Sequence, residues 1–288
     1  MAVLQLSDLK IIAQKDNVTF NYFLYLSVVT KRDDTMKRLE GNVTLITGGG
    51  KGIGFGLATA FAKEGSNLVI TGRNMGRLEQ AKEKLEKEWG IKVLPMVADG
   101  ADENAVKAVV AAAYKEFGKI DTLINNAQVS KAGLPLIEHT REDLDMAVLS
   151  GIYAAFFYMR ECFPHLKENK GSVINFASGA GLYGKPGQSS YAAAKEGIRG
   201  LSRVAATEWG PDGVRVNVVC PLAMTESLQE WKANYPELFE KTIRDIPLGR
   251  FADPAEDIGR VCVFLASKDA SYVTGETITL QGGSGLRP

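Results

Sequence analysis

Two stretches of this sequence carry residue types that can do chemistry together. An apolar run ends at Phe176-Ala177-Ser178, and thirteen residues after the serine a helical pattern opens with Tyr191 and, four residues on, Lys195. A helix turns once in about 3.6 residues, so the phenol and the ammonium share one face. A lysine beside a phenol favours the phenolate, and bringing a phenol's pKa from about 10 to about 7 is worth roughly 4 kcal/mol. A phenol tuned in that way can exchange a proton with a carbonyl oxygen near neutrality. Ser178, at the C-terminal end of a strand, can return its hydroxyl across a short loop to hold the same oxygen, and strand ends are where open α/β sheets carry their chemistry. Taken alone, tyrosine and lysine at this spacing are as readily an amphipathic helix edge with a solvated charge. The elements around them decide.

Upstream, Asn42 to Thr47 is a short apolar run that leads into Thr47-Gly48-Gly49-Gly50-Lys51-Gly52-Ile53-Gly54 and then a helical pattern from Phe55 to Glu64. A strand, a glycine turn and a helix in this order form a pyrophosphate cradle: missing side chains let backbone approach phosphate, and the helix N-terminus offers N–H groups and partial positive charge. Gly48, Gly52, Ile53 and Gly54 are the expected contacts. A second strand, Asn67 to Thr71, ends in Gly72-Arg73 with no carboxylate for a ribose 2′-hydroxyl. Arg73 and Lys51 can instead neutralise a 2′-phosphate, which makes NADP(H) the expected cofactor; the alternative is two solvated surface cations.

Helix Met75 to Glu88, strand Val93 to Ala98, helix Glu103 to Phe117 and strand Thr122 to Asn125 continue the alternation. This predicts a single Rossmann-type, doubly wound parallel α/β sheet of about seven strands with helices on both faces. Asp99 ends the third strand and can accept from an adenine amine, or simply cap its turn. Asn125-Asn126-Ala127 ends the fourth, where side-chain amides can tie strands together while the backbone lines the cofactor.

Composition narrows the class. The 288 residues contain no linker-like stretch after the N-terminal segment, and Lys+Arg and Asp+Glu both total 34, which speaks against nucleic acid or a charged membrane surface as partner. Three scattered cysteines and two histidines argue for a reducing, cytoplasmic setting and against a protein-built metal site. Residues 1–35 do not fit the pattern; Val18 to Thr30 is apolar but too short to span a bilayer. That segment is expected to be a disordered tail or sequence upstream of a start at Met36, or else an element that packs on a neighbouring subunit, with 36–288 as the single catalytic domain.

With T-G-x-x-x-G-x-G, N-N-A, Ser178 and Y-x-x-x-K in order, the chain from about Lys37 to Pro288 resembles the short-chain dehydrogenase/reductase family. The resemblance implies catalysis by Ser178, Tyr191 and Lys195, the lysine also binding the nicotinamide ribose, with Pro221, Leu222 and Thr225 near the cofactor. It implies a homotetramer too, paired through the last strand and helix and through the long helix ending near Arg160 with the one opening at Tyr191. Aligning Asp143-Leu144-Asp145 puts Gly151 where the family carries a fourth catalytic asparagine. Only the side chain is lost, since the family uses that residue's carbonyl to hold a relay water. Glycine inside a helix costs about 1 kcal/mol against alanine, and it permits a local distortion that presents the carbonyl. Gln128 stands for the usual glycine after N-N-A and Leu222 for the glycine after Pro221, both where a pocket would be shaped.

Asn126-Ala127-Gln128, Leu149-Ser150-Gly151, Phe176 to Gly184, Ser190 to Trp209 and Cys220 to Thr225 are similar to the NADP-dependent 12α-hydroxysteroid dehydrogenases of anaerobic gut bacteria. That similarity implies interconversion of a bile acid's 12α-hydroxyl and 12-ketone. A reductase of another ketone, such as a sugar, acyl thioester or small alicyclic ketone, and a catalytically silent nucleotide-binding scaffold are the other readings. Residues 221–250 then form a helical lid whose Met224, Leu228, Trp231, Tyr235, Leu238 and Phe239 suit a flat apolar ring or, equally, ordinary packing. Gln128, Ser178, Tyr191, Met224 and Trp231 are the expected substrate contacts. Lys232, Lys241 and Arg244 are candidates for a substrate carboxylate, or solvated charges.

Overall fold

The computed structural model describes residues 37–285, and Arg38–Pro288 forms a compact unit of its own. The expectations for residues 1–35 fall outside the described residues. Seven strands alternate with helices: β1 Val43–Thr47, α1 Gly52–Lys63, β2 Asn67–Gly72, α2 Met75–Trp89, β3 Val93–Val97, α3 Glu103–Phe117 and β4 Thr122–Asn125. The second half runs α4 Arg141–Val148, α5 Ala154–Asn169, β5 Ser172–Phe176, α6 Gly179–Tyr183, α7 Ser189–Trp209 and β6 Arg215–Pro221. It closes with α8 Glu226–Asn234, α9 Pro236–Arg244, α10 Arg260–Ala266 and β7 Thr277–Leu280.

All strand pairs are parallel, in the order β3-β2-β1-β4-β5-β6-β7. The chain winds outward from β1 to β3, then returns to lay β4 beside β1, so a crevice opens at the C-terminal ends of β1 and β4. Strand side chains alternate between two apolar layers because the side-chain period is about 2. Ile46, Ile70, Ile124 and Ile174 face α1, α2 and α10 through Leu57, Phe61, Leu78 and Val263. Their neighbours Leu45, Val69, Leu123 and Val173 face α3, α5 and α7 through Val106, Tyr158, Leu166 and Ala205. Both faces are covered, which is why the strands read as continuous hydrophobic runs. Among the described residues no helix is long and apolar enough to cross a membrane.

Two elements differ from expectation, and a third bears one out. The helix expected to end near Arg160 continues through Pro164 to Asn169. The chain after Ser178 is not a plain loop but the short helix α6, with the Ser178 hydroxyl accepting from the Ala180 N–H at 3.1 Å as its N-cap. Between α4 and α5 the backbone forms a π turn, Leu149–Tyr153, centred on Gly151; the distortion expected at this glycine is present.

Candidate active site

The cradle is built from β1 outward. Gly48 turns with φ 72° and sends its N–H to the Thr71 carbonyl at 2.8 Å. A Cβ on Gly48 would lie 3.1 Å from the Asn126 amide nitrogen, and one on Gly54 would collide with the Gly48 carbonyl. Only bare backbone fits there. Lys51 caps α1 without a side-chain hydrogen bond, and no acidic residue occupies the first turn, so the helix N-terminal N–H groups remain open to an anion.

Thr47 ties the turn to β4, accepting from the Asn126 and Ala127 N–H groups at 3.0 Å each, while the Asn126 amide donates to the Thr47 carbonyl at 2.9 Å. Thr47 stands in the glycine motif, but its role follows only from strand order.

The resulting cleft has a volume of about 880 Å³ and is lined by Gly48, Lys51–Gly54, Arg73, Asp99, Asn126–Val129, Ser150 and Thr225, among others. Lys51, Arg73 and Arg77 all border it, and among the described residues none of the three pairs with a carboxylate. Arg77 was not singled out from sequence, although it lies four residues past Arg73 in the first turn of the helix that Asn74 caps. Asp99 accepts from the Ala101 N–H at 3.0 Å, so one carboxylate oxygen caps a turn while the residue faces the cleft. The glycine cradle, the uncapped helix end and three cations fit a dinucleotide phosphate chain.

Asn125, in contrast, does not line the cleft. Its buried amide donates to the Asn175 carbonyl oxygen at 2.8 Å, and the Asn175 amide donates to the Ser202 hydroxyl at 2.8 Å, joining β4, β5 and α7. Helix α7 forms because its buried positions, Ser190, Ala194, Lys195, Ile198, Ser202, Ala205 and Ala206, repeat at helical spacing and are mostly small enough to sit close on the sheet.

That stripe buries Lys195 to 3 % exposure, with its ammonium donating to the Phe176 carbonyl at 2.6 Å and lying 5.5 Å from the Tyr191 ring centroid. Burial lowers the Lys195 pKa to about 7. Burial also raises the Tyr191 phenol above its usual value, and the Ser178 side chain beside it pulls the other way. Lys195 is expected to lower the phenol together with the positive charge of a bound oxidised nicotinamide; in the protein by itself desolvation dominates and holds the phenol up, and one of the three donors of the ammonium goes to the Phe176 carbonyl. Ser178 and Tyr191 do come together. Because the Ser178 oxygen uses a lone pair on the Ala180 N–H, its own hydrogen stays available to a carbonyl oxygen.

The lid residues mostly face one another. Phe239, Ile246 and Phe251 form a small buried core with Leu222, Met224, Leu228, Trp231 and Ile243 packed on it. Phe239 is 1 % exposed, and the Lys232 ammonium sits 4.8 Å above its ring. Thus Met224 and Trp231, expected toward substrate, and Leu222, expected toward cofactor, are engaged in packing, as is Phe239, for which packing was the equal alternative; Tyr235 and Leu238 are exposed instead. Pro221 ends β6, and Thr225 caps α8 and borders the cleft.

Known proteins match this chain closely. A family model described as enoyl-(acyl carrier protein) reductase matches residues 48–284. A 12α-hydroxysteroid dehydrogenase of a Clostridium species is 60% identical over 255 residues, 86% of this chain and 98% of that protein. The 3-oxoacyl-(acyl-carrier-protein) reductase of Thermotoga maritima is 38% identical over 251 residues, covering 85% and 98% respectively. Among solved structures, levodione reductase superposes with a TM-score of 0.81 at 34% identity over 86% of this chain and 99% of its own. The 3-ketoacyl-(acyl-carrier-protein) reductase of Brucella melitensis, complexed with NADH, gives 0.78 at 31% identity over 86% and 100%.

Proposed function

Because the chain belongs to the short-chain dehydrogenase/reductase family of oxidoreductases, we propose that it interconverts the 12α-hydroxyl and 12-ketone of bile acids with NADP(H). The observation that carries this reading is the identity with the Clostridium 12α-hydroxysteroid dehydrogenase along nearly that protein's whole length, with Ser178, Tyr191 and Lys195 all present. Lys51, Arg73 and Arg77 support the 2′-phosphorylated cofactor, since three cations that border the cleft and pair with no carboxylate among the described residues favour an anion there.

In this reading the Ser178 hydroxyl holds the ketone oxygen, and Tyr191 donates its proton to that oxygen. A bound nicotinamide supplies the hydride. The buried Lys195, protonated or neutral near pH 7, sits on the same helix face and holds the ribose side of the site while passing a proton toward the phenol. Gln128 borders the cleft. A homotetramer in the cytoplasm completes the proposal; the exposed Tyr153, Phe156 and Val204 give apolar surface that a second subunit would cover.

Following NADPH absorbance with 12-oxo bile acids, and with 3-oxo and 7-oxo isomers and NADH as controls, tests both assignments. Rapid oxidation of NADPH with the 12-ketone alone is the expected result. Turnover of acyl thioesters in its place would favour the acyl-carrier reductases to which the chain is also similar.

A further inference from the structure

Gln128 leaves the end of β4 and turns its side chain back against the π turn. A Cβ built on Gly151 would lie 3.0 Å from both the Cδ and Nε2 of Gln128 and 3.3 Å from its Oε1. The carboxamide therefore fills the volume that a side chain at 151 would claim. Packing holds it there more than hydrogen bonding does: Nε2 reaches the Ala147 carbonyl only at 3.5 Å, and Oε1 is buried with no partner among the described residues.

The next residue joins the same turn, with the Val129 N–H donating to the Ser150 hydroxyl at 3.1 Å. On the turn's far side, Ile152 Cδ1 occupies the place where a Cβ on Gly197 would stand. Gly197 lies two residues after Lys195 on α7. Contacts thus run from Gln128 to Gly151, and from the adjacent Ile152 to the helix that carries Tyr191 and Lys195.

A π turn holds one residue more than the α-helix around it, and such turns are uncommon and recur at functional sites. Relaxation to α geometry would rotate the side chains on one side of it by about 100° relative to the other. Ile152 would then leave Gly197.

We propose that Gln128 is a positioning residue: it braces the π turn from the cleft side and, through Ile152, sets α7 and its Tyr191 for proton transfer. The role rests on the oxidoreductase reading above for the reaction it serves, and needs no contact with substrate.

The test is a cycle of Q128A, G151A and Q128A/G151A, read by kcat and KM for the ketone, by NADPH affinity and by thermal midpoint. Q128A is expected to lower kcat about tenfold, the scale on which a small misplacement of reacting groups acts, and to leave NADPH affinity unchanged. G151A is expected to slow turnover as well, because its methyl displaces the carboxamide. In the Q128A background the same methyl enters the vacated space, so the double variant recovers most of the lost kcat, and the thermal midpoints are likewise non-additive. Additive losses would overturn the proposal, as would a Q128A defect confined to the ketone's KM, which would make Gln128 a substrate contact. If the wild-type protein reduces no ketone, the reaction assignment fails on its own. The thermal cycle still decides the brace, with coupled midpoints upholding it and additive ones rejecting it.

Discussion

The Lys195 ammonium and the Phe176 carbonyl oxygen stand 2.6 Å apart, so the charged end of the α7 stripe is fastened to the last residue of β5, two residues before Ser178. With the Asn175–Ser202 bond, this contact fixes the distance between the strand that delivers the serine and the helix that delivers the tyrosine.

Burial of that ammonium makes stability depend on pH. Lys195 has a folded pKa of about 7, well below its ordinary value of 10.5. Between these values the unfolded chain binds a proton that the folded chain does not, so stability rises with pH through that window. The Tyr191 phenol, raised by burial, opposes this once ordinary tyrosines begin to ionise, at about 10. Thermal midpoints of the wild-type protein are therefore expected to gain on those of Lys195→Met from about pH 7 to pH 10; a constant gap across the range would contradict the buried charge.

Tyr191→Phe removes the proton donor and little volume. Loss of general acid catalysis is worth about a hundredfold to ten-thousandfold in kcat. NADPH titration by fluorescence should give an affinity close to that of the wild type. A variant that retained most of its turnover would transfer the donor role to another group.

Arg73→Ala and Arg77→Ala each remove a charge from the end of the cleft. A charge-assisted hydrogen bond contributes about 1.5–3 kcal/mol, so NADPH affinity should fall roughly ten- to a hundredfold per arginine. NADH affinity should hold steady. Equal losses for both cofactors would show that the arginines serve the shared pyrophosphate.

Asn175→Ala breaks the buried chain from Asn125 to Ser202 and strands the Asn125 amide, while Ser202 keeps its bond to the Ile198 carbonyl. Leaving a buried donor or acceptor unsatisfied costs about 1–3 kcal/mol. At about 2–4 °C per kcal/mol for a domain of this size, calorimetry should resolve the drop. Because the network also anchors α7, kcat should fall with it.

Much of this architecture was legible before any coordinates. The alternation of apolar runs with helical periods gave the parallel sheet, and Gly48, Gly52 and Gly54 gave the cradle, because backbone approach to phosphate excludes other residue types. Gly151 marked a distortion for the same kind of reason: glycine inside a helix costs stability unless geometry demands it. The illegible parts depend on partners that spacing does not specify. Periodicity put Lys195 beside Tyr191 but could not show that the ammonium would turn to Phe176. Hydrophobic spacing in 221–250 is the same whether Phe239 faces a ligand or, as here, Trp231 and Phe251. Arg77 carries no signal in the sequence because one cation in an amphipathic helix is ordinary; only its place on the cleft sets it apart.

The two stems of the lid meet at one bridge, and the Leu248 N–H, donating to the Gly282 carbonyl at 3.0 Å, ties its later part to the body. Ala223 and Ala252 pair as an isolated bridge, with the Met224 N–H donating to the Ala252 carbonyl at 2.8 Å and the Ala252 N–H to that of Leu222 at 3.0 Å. Between those stems the segment carries its own apolar centre. A piece of chain closed at its base and packed about its own centre is coupled to the sheet beneath at few points. Descent can then vary that segment under looser constraint from the core than the strands themselves bear.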